Sequence, residues 1–95
     1  MSKLYDTITD ENGFMIKLRM KGIFDNNDYL NIKNALLDII PEWKMTGNVS
    51  LEDFTAVLEL IRFLASGNRA WNNDVAFKAE DAEIELMDII AEISL

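Results

Sequence analysis

The stretch FMIKLRMKG, residues 14–22, decides how the first quarter of this chain is read. Its apolar side chains alternate. Phe14, Ile16, Leu18 and Met20 fall on one side, and Met15, Lys17, Arg19 and Lys21 on the other, which is the period-two pattern of a half-buried strand. Just before it, DENG (residues 10–13) offers Asn12 and Gly13, two residues that tolerate positive φ. The pattern therefore predicts a hairpin turn back to an earlier strand around Lys3 to Thr9. That earlier strand alternates less well, because Asp6 lies between Leu4 and Ile8. On this reading Lys17, Arg19 and Lys21 form a small basic ladder on the outer hairpin face, guarding a sheet edge.

Beyond Gly22 the period changes. Tyr29, Ile32, Leu36 and Ile39 recur at i, i+3, i+7 and i+10 and predict an amphipathic helix over about 25–40. Asp25 is its expected N-cap, Phe24 and Tyr29 its hydrophobic staple, and Pro41 its stop, with EWKMTGN (42–48) as a linker. A second helix is expected over about 50–66, capped by Ser50 with Asp53 closing a capping-box-like pair, and ended by Gly67. Its stripe of Phe54, Val57, Ile61 and Leu64 matches the earlier stripe at an offset of 25. Any two capped amphipathic helices share that likeness without duplication. After a polar loop around Trp71, Val75, Ala79, Ala82, Leu86, Ile89 and Ile93 recur at steps of four and three. They predict a third helix over about 74–94, capped by Asn73 or Asp74, with a seam suited to packing on other helices. The expected fold is thus α+β, an N-terminal β-hairpin at about 3–21 followed by three helices around one core. One domain should span 1–95, since no Pro/Ser/Gly-rich linker divides the chain.

The chemistry available is narrow. At 49% apolar and 27% charged residues the chain is globular in composition, and it contains neither Cys nor His. Disulfides, thiolate ligands, the usual general base near neutral pH and the commonest zinc ligand all drop out together. No serine lies in a Gly-x-Ser-x-Gly turn, and no glycine-rich phosphate loop is present. If Gly13 were the sixth position of a calcium loop, Asp10 and Asn12 would be ligands, but the anchoring positions would hold Ile8 and Arg19. The expectation is a non-enzyme with no catalytic residues, cofactor or metal. No stretch approaches the roughly 18 apolar residues of a membrane span, and the N-terminus lacks an apolar signal core, so a cytoplasmic location is expected.

Charge carries the functional expectation. The net charge is -8, and the acidity belongs to residues 49–95, where ten acids face three bases. Such a chain is repelled by phosphate backbones and anionic lipid, so direct nucleic-acid or membrane binding is disfavoured and a protein with a basic surface is the natural partner. In the last predicted helix Asp81, Glu85, Asp88 and Glu92 share a sector of about 60° beside the apolar seam, with no Lys or Arg four residues away. Asp88 and Glu92 also sit at the helix end that prefers cations, so local helix stability did not select them. With Glu80, Glu83 and Trp71, an aromatic of the type that anchors interfaces, they form the candidate partner-binding set.

The expected function is a small acidic protein-binding module of inhibitor, immunity or adaptor type, docking this helix face on a basic partner. Nucleic-acid mimicry is one form of that role, because carboxylates a turn apart are spaced much like phosphates. The competing expectation is a structural or assembly-chaperone subunit that self-associates, as a homodimer for example, through the Val75 to Ile93 seam, its acids serving solubility only. For Trp71 and Trp43 the competing expectation is a ring folded back onto the core.

Overall fold

The computed structural model describes residues 3–67 and 71–92. Among the described residues there are five helices and no strand: α1 (Lys3–Thr9), α2 (Phe14–Lys21), α3 (Asn26–Thr46), α4 (Leu51–Ser66) and α5 (Asn73–Ala91). The expected α+β fold is corrected to an all-helical one, and the hairpin to two short helices. The reason lies in the period itself. Residues i and i+4 share a face in a strand and in a helix alike, so the buried pairs Leu4/Ile8 and Phe14/Leu18 fit both. Ile16 and Met20 separate the two readings: a strand would bury them with Phe14, yet they are 37% and 72% exposed. Local signals agree with the helix. Arg19 and Lys21 occupy the last turn of α2, where cations are favoured. Gly22, left-handed at φ 66°, ends the helix as its N–H donates to the Leu18 carbonyl at 3.1 Å and the Ile23 N–H to that of Lys17 at 3.3 Å.

Gly13, expected at a positive-φ turn, instead caps α2 with φ -92°. Glycine is favoured there by close approach: an added Cβ would stand 3.0 Å from Asp10 Cβ and 3.1 Å from the Asp10 carbonyl oxygen, so the neighbour would have to give by a few tenths of an ångström. The basic ladder also dissolves. Lys17 Nζ lies 2.8 Å from Asp28 Oδ2 and 3.1 Å from Asp25 Oδ2 at the head of α3, and the Arg19 guanidinium sits 5.1 Å above the Phe63 ring of α4. The hydrogen bonds to Asp28 and Asp25 raise the Lys17 pKa above the usual lysine value. Asp25 is lowered, first by the Asp28 N–H it accepts and then by Lys17.

In α3 the expected N-cap holds: Asp25 accepts from the Asp28 N–H at 3.0 Å, and the Phe24 and Tyr29 rings lie 5.5 Å apart. The expected stop does not hold. The helix runs through Pro41 to Thr46, so the linker at 42–48 is corrected to a further helical turn closed by Gly47. A proline inside a helix costs about 3 kcal/mol. Continuing the helix places Trp43 in the core three residues after buried Ile40, and core Trp→Ala changes cost about 3–5 kcal/mol, enough to offset the proline. Trp43 is accordingly a core residue and not a loop residue.

Ser50 caps α4 as expected, its Oγ accepting from the Asp53 N–H at 3.3 Å. The cap of α5 is Asn72, not Asn73 or Asp74, accepting from the Val75 N–H at 2.9 Å. The expected helix end at 94, and Ile93 with it, lie outside the described residues. α1 packs on α3 and α4, α4 packs on α5, and α5 also meets α3. The buried side chains of all five helices form one cluster. One carboxylate enters it: Asp53, 2% exposed, accepts the Tyr5 N–H at 3.2 Å and so ties the first turn of α1 to α4. No helix among the described residues is long and apolar enough to cross a membrane.

Candidate acidic interface

α5 presents different faces to the core and to solvent. Val75, Ala79, Ala82 and Leu86 are buried, and Ile89 packs partly against the same cluster. From Val75 to Ile89 the seam is therefore packed within the chain. The acids flank the seam, with Asp81, Glu85, Asp88 and Glu92 on one side and Glu83 and Glu80 on the other. Asp81, Asp88 and Glu92 are exposed, as is Glu80, while Glu83 is half-buried. None of them joins an ion pair among the described residues, whose salt bridges are Lys17 to Asp25 and Asp28, and Lys33 to Glu85.

Glu85 is the exception on the ridge. The Tyr29 hydroxyl donates to its Oε1 at 2.5 Å, and Lys33 Nζ donates to its Oε2 at 3.0 Å. Tyr29 and Lys33 stand one turn apart on α3, so one face of that helix holds both carboxylate oxygens. The two hydrogen bonds, Tyr29's first, lower the Glu85 pKa below the usual glutamate value. The phenol of Tyr29 moves the other way, raised first by burial and then by the adjacent carboxylate. Glu85 thus locks α5 to α3, and the ridge left exposed on that side of the helix is Asp81, Asp88 and Glu92. Sequence spacing alone could not separate Glu85 from its neighbours, since its partners come from 52 and 56 residues away.

Of the two expectations for Trp71, an interface anchor or a ring folded back onto the core, the structure has the buried ring. Its ring is 7% exposed, its Nε1–H donates to the Leu18 carbonyl at 3.2 Å, and it meets Phe63 edge-on at 5.6 Å. It pins the segment before α5 to the end of α2 and leaves little surface exposed, as the reading of a ring folded back onto the core expects.

Sequence reading missed a second apolar line on α5. Phe77, Ile84 and Met87 are 65%, 52% and 53% exposed. At 100° per residue they cluster on the side of the helix roughly opposite the buried seam. Their i, i+7, i+10 spacing was available as a signal, but the stronger seam absorbed it. An open groove runs beside this line, where Ala76, Glu80, Glu83 and Ile84 of α5 face Ala65 at the end of α4. No group of three or more Asp or Glu among the described residues is arranged to hold a metal ion.

No family model matches the chain, and no curated protein or solved structure is significantly similar to it. Fold and ridge together define a class: among the described residues, an all-helical acidic domain whose α5 carries exposed carboxylates with no ion-pair partner.

Proposed function

We propose that this protein is a non-enzymatic protein-binding module, of inhibitor, immunity or adaptor type, that docks the acidic side of α5 on a basic partner surface. The observation that carries this reading is the exposure of Asp81, Asp88 and Glu92 along one side of α5 with no base paired to them among the described residues. Carboxylates in that position give the helix nothing locally: neighbours one turn apart repel by a few tenths of a kcal/mol, and the C-terminal helix end favours cations. Against a basic surface the same charges would speed encounter and fix register, with binding that weakens as salt is raised.

The test reverses Asp81, Asp88 and Glu92 to Lys and leaves Glu85 in place to preserve the contact with α3. Circular dichroism checks the fold, and capture of the partner from lysate is compared at low salt and at about 0.5 M, where the Debye length falls to roughly 4 Å. Capture that is unchanged by the three reversals would refute the reading.

A further inference from the structure

The exposed line Phe77, Ile84 and Met87 is not explained by docking through charge alone. Each of these side chains keeps more than half of its surface in solvent, and they cluster on the outward side of α5. Single exposed apolar residues are ordinary, but three on one helix face, bordered by charge, mark a contact surface. Charge flanks the line on both sides. Asp81, Asp88 and Glu92 lie along one edge and Glu83 along the other, where α5 meets the end of α4, with Glu80 set between Ile84 and Met87. Lys78 is the only base on α5.

That arrangement selects its occupant. A second copy of this chain would bring carboxylate edges against carboxylate edges, with -8 on each molecule. A surface built for nucleic-acid phosphates would meet the acids but leave Phe77, Ile84 and Met87 uncovered. A helix with an apolar stripe flanked by Lys or Arg satisfies both features, its apolar anchors entering the groove beside Ile84 and its cations meeting the two acidic edges. Resting on the protein-binding reading above, we infer that the ligand of the α5 face is a basic amphipathic helix of another protein.

The probes are three synthetic peptides of about 18 residues: a Leu/Lys helix with Leu at i, i+3, i+4 and i+7, a scrambled peptide of the same composition, and oligolysine. Each is titrated into the isotope-labelled full chain at near-physiological salt and followed by amide and methyl shifts. The amphipathic peptide should bind at least about tenfold more tightly than the other two (1.4 kcal/mol), with shifts centred on Phe77, Ile84 and Met87. Exchanging these three exposed residues for Ser should remove that preference with the helical content intact, while Asp81→Lys with Asp88→Lys should weaken all three peptides. Equal binding of oligolysine and the amphipathic peptide would overturn the inference and leave the charge-docking reading standing. Failure of every peptide to bind would overturn both. Concentration-dependent dimerisation in sedimentation, abolished by the same Ser variant, would assign the face to a second copy and likewise overturn the inference.

Discussion

The Tyr29 hydroxyl and the Glu85 carboxylate meet at 2.5 Å across the α3–α5 contact, and Lys33 completes the site from one turn further along α3. A double-mutant cycle with Tyr29→Phe and Glu85→Gln should therefore show coupling. Tyr29→Phe is expected to cost about 1–2 kcal/mol, in line with a hydrogen bond to a charged group. Urea denaturation of the four proteins measures the coupling, and strictly additive losses would mean the contact contributes nothing.

The same pair gives the stability curve a sign at each end of the pH scale. The folded pKa of Glu85 is depressed, so its contribution is full above the unfolded value near 4.5 and is lost as pH falls through the folded value. The folded pKa of Tyr29 is raised, so its contribution is full below the unfolded value near 10 and is lost as pH rises beyond it. Thermal melts should show the advantage of wild type over Glu85→Gln shrinking from pH 5 toward pH 3. The advantage over Tyr29→Phe should shrink as pH climbs past about 10.

Pro41 is exposed and lies inside α3, where its ring removes one helical hydrogen bond. Pro41→Ala is expected to stabilise the protein by about 1–3 kcal/mol, raising the midpoint of thermal unfolding. A loss of stability on this substitution would argue for a chain that turns at residue 41, as the sequence expectation had it.

Gly13→Ala tests the α1–α2 junction. The new methyl would press on Asp10 at 3.0–3.1 Å, with backbone as one of the two neighbours, and should destabilise by about 1–3 kcal/mol. A hairpin turn at the same place would instead be judged by positive φ, which Gly13 does not have. Hydrogen exchange localises the effect: amides of α1 and α2 should open first in the variant, and uniform acceleration across α4 and α5 would count against a local clash.

Asp53 holds the first turn of α1 from inside the core. Asp53→Ala is expected to cost about 1–3 kcal/mol, because it strips the carboxylate acceptor from the Tyr5 N–H. Exchange of the Tyr5 amide should accelerate more than that of Leu86, and equal protection in variant and wild type would refute the link.

Much of the helical half was legible in the chain. Asp25 and Ser50 announce their caps, and the four-and-three spacing of Val75, Ala79, Ala82 and Leu86 announces the buried side of α5, because capping and helical periodicity are local properties. The acidity of α5 was equally plain from composition. What tertiary structure decided was everything that depends on distant partners. Phe14 and Leu18 satisfy the periods of a strand and a helix at once, so only the exposure of Ile16 and Met20 in the packed molecule settled the form of the first quarter. Pro41 reads locally as an end, and the burial of Trp43 beyond it overrode that reading. Glu85 looks like Asp81 and Asp88 along the helix, yet Tyr29 and Lys33 reach it across the fold and leave the others to solvent. Near-neighbour physics fixes where helices begin and which side is apolar; which charges stay free is fixed only by the groups that packing brings beside them.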